Sequence, residues 1–293
     1  MTTNVESICA VQATLGEGPV WAYDALWFTD IKQCRVYRLN PATSALRHWD
    51  APSQIGWVLP AHDGAFVAGL QTGLHRFHPE DGSFTLLATV EADRPGNRLN
   101  DACTDPSGRI WFGSMDDTEA APSGAIYRAD SRGIARVIDG ISITNGPAVS
   151  PDGATLYHHD TLGGLIYASD INEDGEVSNT RVLITLDNAS GFPDGPVVDS
   201  EGFLWVGLYC GWAVHRYAPS GELVQIVRLP VANVTKIAFG GPELRTAFAT
   251  TASKGLSAEE KAAQPLAGNV FTFDPGVRGQ PTTAAQPFGT TLI

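Results

Sequence analysis

Short apolar runs alternate with polar turn clusters along the whole chain, and the runs recur in pairs. The first of each pair reads Ala25–Ile31, Ala65–Leu70, Arg109–Met115, Thr155–Thr161, Phe203–Tyr209 and Thr246–Ala252. The second carries an apolar-aromatic step: Arg35–Leu39, Gly73–Phe77, Ala125–Ala129, Leu165–Ser169, Ala213–Tyr217 and Asn269–Phe273. Turn formers such as Asp105-Pro106-Ser107-Gly108, Pro151-Asp152-Gly153 and Ser200-Glu201-Gly202 precede several of the first runs, as hairpin punctuation does between antiparallel strands. The period is roughly 40–48 residues, that of a propeller blade. Helical periodicity is confined to Ser257–Gln264, where Ser257 and Glu260 form a capping box. It reads as an insertion in the last repeat, and the polar stretch Asp116–Ser123 as a second insertion.

Six four-stranded units of this length fill the chain. The expected fold is therefore all-β, one six-bladed β-propeller domain over residues 1–293. Closing the ring requires a strand from one end of the chain, either from Val5–Leu15 or from the tail Pro287–Ile293.

Composition narrows the class. The 293 residues include 31 Gly and 19 Pro spread along the chain, which suits a protein built of strands and turns rather than a linker. The net charge of -13 argues against nucleic acid and anionic membranes as partners. Cys9, Cys34, Cys103 and Cys210 are far apart and form no CxxC pair, so free thiols in a reducing compartment are expected. The N-terminus lacks the pattern of a signal peptide and no apolar run is long enough to cross a bilayer, so a cytoplasmic monomer is expected.

Candidate chemistry lies in one tripeptide form that occurs three times: Glu17-Gly18-Pro19, Asn145-Gly146-Pro147 and Asp194-Gly195-Pro196. Each precedes a strand-like run by about ten residues, so in a propeller the three occupy the innermost strand of different blades. At the same level stand Asn100 in blade three, Ile55-Gly56-Trp57 in blade two and Thr235-Lys236 in blade six. Two carboxylates in a narrow channel repel and lose solvation, and a divalent cation relieves both problems. Oxygen-only ligation by Glu17, Asn145 and Asp194 suits Ca²⁺, Mg²⁺ or Mn²⁺, and Zn²⁺ and Fe²⁺ also accept it. Three protein ligands leave positions open for water and substrate, as at a catalytic metal serving ester or lactone hydrolysis. Arg98, two residues before Asn100, points the same way along a strand and suits substrate oxygens. Neither a Gly-x-Ser-x-Gly elbow nor a His-Glu-x-x-His pair is present, which argues against serine-hydrolase and zinc-histidine chemistry.

The motifs together resemble the senescence-marker-protein-30 / gluconolactonase / luciferin-regenerating-enzyme-like family. The resemblance rests on Leu15-Gly16-Glu17-Gly18-Pro19-Val20-Trp21, Asn97-Arg98-Leu99-Asn100-Asp101, Ile110-Trp111-Phe112-Gly113-Ser114-Met115, Thr144-Asn145-Gly146-Pro147, Pro193-Asp194-Gly195 and Pro265-Leu266-Ala267-Gly268. It implies a six-bladed propeller with one divalent metal on Glu17, Asn145 and Asp194, and Asp194 as general base. It further implies that Arg98 and Asn100 contact a sugar lactone, joined by an acidic residue after Met115, either Asp117 or Glu119. Trp57 is expected as an apolar wall. His158-His159-Asp160-Thr161 and Asn233-Val234-Thr235-Lys236 look closest to bacterial pentonolactonases, so a xylono- or arabinonolactone is favoured and gluconolactone is a further candidate. Two alternatives stand beside this expectation, a related propeller esterase or phosphotriesterase and a non-catalytic propeller that binds metal or ligand.

Overall fold

The structure is a computed structural model that describes residues 3–291. Its strands form six four-stranded antiparallel sheets arranged as a β-propeller. The innermost strands are Gly16–Ala22, Ile55–Pro60, Asn97–Thr104, Thr144–Val149, Phe192–Val198 and Val234–Gly240, for blades one to six. The paired runs of the sequence are the second and third strands of each blade, for example Ala25–Asp30 with Arg35–Asn40 and Leu204–Tyr209 with Ala213–Tyr217. Of the two candidate closures, the N-terminal one is realised. Val5–Cys9 is the outermost strand of blade six and pairs with Val270–Phe273, Val5 lying opposite Phe273.

Each blade buries its faces against its neighbours, and the apolar clusters follow the seams. Trp27 of blade one packs on Phe66 and Phe77 of blade two. Trp57 of blade two meets Phe112 of blade three at 6.0 Å between ring centroids, and Trp205 of blade five meets Phe239 of blade six at 5.8 Å. Trp111 and Ile126 cover Leu156, and Phe28 covers Phe248 across the closing seam. Hairpin turns fix the aromatic residues. The Asp105 carboxylate accepts from the backbone N–H of Ser107 and Arg109 and from the Trp111 indole at 2.9 Å; Asp199 does the same for Glu201, Phe203 and Trp205, the last at 2.8 Å.

The capping box forms as expected. Ser257 and Glu260 bond each other's backbone N–H at the start of the short helix Ala258–Ala263, and Gln264 Oε1 docks it by accepting from Ala232 N at 2.7 Å. The tail beyond Phe273 crosses the ring. It bridges Asp199 with Gly279 and Ala61 with Ala285, and Gln286 N donates to Gly108 O. All four cysteines are free thiols. Among the described residues no helix is long and apolar enough to cross a membrane.

Candidate metal centre

In all six innermost strands the pairing register breaks near the start. The breaks fall between Glu17 and Val20, Ile55 and Trp57, Leu99 and Ala102, Asn145 and Ala148, Pro193 and Pro196, and Val234 and Ile237. These are bulges, which bend a strand and re-aim its side chains. The X-Gly-Pro tripeptides are the sequence of the bulge in blades one, four and five. Proline brings no N–H that would go unpaired there. Glycine is required by crowding: a Cβ on Gly18 would lie 2.6 Å from Gly56 O, and one on Gly146 2.7 Å from Pro196 Cγ, both at positive φ.

The strand starts bring Glu17, Asn145 and Asp194 to one cavity of about 220 Å³, together with Arg98 and Asn100. The three candidate ligands are 3%, 3% and 5% exposed, so they form its floor. Glu17 Oε2 accepts from Gly18 N at 2.8 Å and Asp194 Oδ1 from Gly195 N at 2.9 Å. Among the described residues neither carboxylate pairs with a cationic side chain. Lys236, at the axis, is taken by Asp101 at 2.6 Å. Burial and then Asp101 push the Glu17 carboxyl up to about 7. Burial and then Glu17 push Asp194 well above the ordinary range.

The amide of Asn145 is oriented by its neighbours. Thr161 Oγ1 donates to Pro193 O at 2.8 Å and must therefore accept from Asn145 Nδ2, also at 2.8 Å, which turns the Asn145 carbonyl oxygen away from Thr161. Asn100 Nδ2 supports that oxygen at 3.1 Å and donates to Thr144 O at 2.7 Å. Two buried carboxylates without a countercharge plus an oriented amide oxygen are a donor set that fits one hard divalent ion. Among the described residues no three His, Cys, Asp or Glu side chains gather to hold a metal, because the third oxygen here belongs to an amide.

Arg98 forms the side wall. Its Nε donates to Asp117 Oδ1 at 2.7 Å and its Nη1 to Asn100 Oδ1 at 2.5 Å, which leaves Nη2 for a ligand. Both amide protons of Asn100 are committed, so toward a ligand it can only accept. Asp117 does not line the cavity. Burial would raise its carboxyl, but hydrogen bonds from Gln54, Lys32 and Arg98 hold it well below the usual carboxylate range. Of the two acidic candidates after Met115, Glu119 is the one on the cavity, at its rim with Lys254. Trp57 is not an apolar wall of this site. Its ring lies over Gly69, where a Cβ would come within 2.2 Å of the indole, and fills the seam toward blade three. Leu15, Met115, Ile143 and Phe192 supply the apolar lining instead.

The motifs of the sequence do not reveal Lys254, Tyr209 and Thr161 in the cavity, nor Lys32 and Gln54 behind Arg98. One signal could have located all of these but Gln54. In an antiparallel blade the second strand ends where the first begins, so the residues at and just after the end of each second run return to the mouth. A larger cavity of about 310 Å³ lies at the other end of the axis against Gln280–Thr283, and Lys236 is its sole charged lining residue.

Comparison with known proteins places these features in context. The SMP-30/Gluconolactonase/LRE-like region matches residues 15–253. The 6-deoxy-6-sulfogluconolactonase of Pseudomonas putida is 32% identical over 95% of this chain and 97% of its own length. Regucalcin of Xenopus laevis is 33% identical over 96% and 99%. The crystal structure of a calcium-binding protein, regucalcin, from Agrobacterium tumefaciens superposes with a TM-score of 0.94 at 26% identity, covering 98% of this chain and 99% of that one.

Proposed function

The chain belongs to the SMP-30/gluconolactonase/LRE-like family, and from that premise we propose that it is a metal-dependent lactonase. On this reading it opens a sugar aldonolactone to the aldonic acid, with pentonolactones preferred. The observation that carries the reading is the pair of buried, uncompensated carboxylates, Glu17 and Asp194, beside the oriented oxygen of Asn145. The relative from Pseudomonas putida, named for a gluconolactone derivative, supports the substrate class.

Glu17, Asn145 and Asp194 would hold the ion. When bound, a divalent cation polarises a carbonyl and lowers the pKa of water. Asp194 orients the attacking water and takes its proton, which returns to the ring oxygen as the acyl–oxygen bond breaks. Arg98 donates through Nη2 to a ring or hydroxyl oxygen of the substrate, and Asp117, itself held by Lys32 and Gln54, keeps its guanidinium in place. Asn100 accepts from a hydroxyl while keeping the Asn145 amide oriented. Glu119 stands at the rim and accepts from a substrate hydroxyl. The apolar lining excludes bulk water around the reacting ester.

A pH-stat assay over matched pentono- and hexono-lactones tests this reading. Acid release on the pentonolactones, with a smaller kcat/KM on the hexonolactones, is expected. No turnover of any sugar lactone by the metal-loaded protein would leave the metal-binding reading, which the calcium-binding relative named regucalcin favours.

A further inference from the structure

The geometry points to Lys254 as a specificity residue that reads the end of the substrate farthest from the ester. This rests on the lactonase reading and adds a contact to it. Arg98 and Lys254 are the two cationic side chains on the 220 Å³ cavity. Arg98 is 3% exposed and sits beside the floor, whereas Lys254 and Glu119 are each one-third exposed and sit at the rim. A lactone whose carbonyl lies at the floor near Glu17 and Asp194 therefore turns its exocyclic hydroxyl carbons toward Lys254.

The backbone of Lys254 is anchored from three sides. Its carbonyl accepts from the Tyr209 hydroxyl at 2.6 Å and from Asn233 Nδ2 at 3.0 Å, and its N–H donates to Thr14 O at 2.8 Å. The ammonium is ion-paired with Glu119, which approaches from the blade-three insertion. The pair thus offers a donor and an acceptor side by side, the complement of a hydroxyl that both accepts and donates. Because Glu119 offsets the charge of Lys254, the rim suits a neutral hydroxymethyl end better than an anionic one.

The test compares a pentono-1,4-lactone with its 5-deoxy counterpart on metal-loaded protein. A hydrogen bond to a charged group corresponds to about 10- to 100-fold. The wild type is expected to prefer the hydroxylated lactone by at least the lower figure in kcat/KM. Lys254→Met should bring the two substrates to within about threefold, chiefly through KM, and Lys254→Arg should restore part of the preference. Should Lys254→Met fail to fold, Glu119→Gln provides a second variant, which is expected to raise the use of a lactone with a terminal sulfonate relative to the neutral one. The matching 1,4-anhydropentitols carry the same hydroxyls without an ester, so calorimetric binding reads the contact even if no lactone is turned over. An undiminished preference in Lys254→Met, an equal loss on both substrates, or an unchanged sulfonate ratio in Glu119→Gln would overturn the assignment. Absence of turnover alone counts against the lactonase reading.

Discussion

Replacing Glu17 with Gln should change how the metal-free protein responds to pH, and by a calculable amount. Burial and Asp101 raise the Glu17 carboxyl from 4.5 to about 7. Between these values the folded chain binds a proton that the unfolded chain has released, so stability falls as pH rises. A rise of that size corresponds to roughly 3 kcal/mol once both states are ionised. The amide of the Glu17→Gln variant carries no such proton. In chelated protein, the urea-derived stability of the wild type should therefore drop by about 3 kcal/mol or more relative to Glu17→Gln between pH 4.5 and pH 8, since loss of the Glu17 charge also eases the upward push on Asp194. Saturating divalent metal should reverse the order at about pH 8, because the wild type alone gains the full binding energy. Equal pH slopes for the two chelated proteins, or equal stabilisation by metal, would refute the reasoning.

Three further outcomes follow from the geometry. Arg98→Ala should lower kcat/KM by about 100-fold while metal stoichiometry, measured by plasma mass spectrometry, stays at the wild-type value. Gly146→Ala should lower the urea midpoint by the equivalent of about 1–3 kcal/mol, because the new Cβ meets Pro196 at a positive φ of 81°. Trp57→Phe should cost about 1–2 kcal/mol of stability and leave KM for the lactone unchanged in steady-state assays, since the indole fills a seam between blades.

The blades were legible because second strands buried on both faces read as continuous apolar runs bounded by turn residues. Runs such as Ala25–Ile31 and Phe203–Tyr209 correspond to second strands, and their aromatic partners to third strands, within a residue or two. The three tripeptides were legible because Gly and Pro carry backbone constraints, although their form as bulges appears only in the pairing register. Which end of the chain closes the ring was not legible. Val5–Cys9 is short and its burial is mixed, so its pattern does not distinguish it from a loop. Trp57 was misplaced because the bulge at Gly56 and the open slot above Gly69 of the paired strand turn it into the seam, and both appear only in the pairing register. Asp117 fell to its partners for a similar reason. Lys32 and Gln54 come from blade one and the connection that follows it, and their distance along the chain hides that they saturate its carboxylate. Lys254 was missed because it lies just after a second strand, outside the X-Gly-Pro motifs, where only the geometry of the blade brings it to the mouth.

Metal titration of the chelated enzyme, with lactone opening followed in a pH-stat, tests most directly whether Glu17, Asn145 and Asp194 serve one catalytic ion. Turnover should rise from near zero to a plateau at one divalent ion per chain, and should stay flat when Asp194→Ala is titrated in parallel. Chelated wild type that opens the lactone as fast as the metal-loaded form would contradict the account.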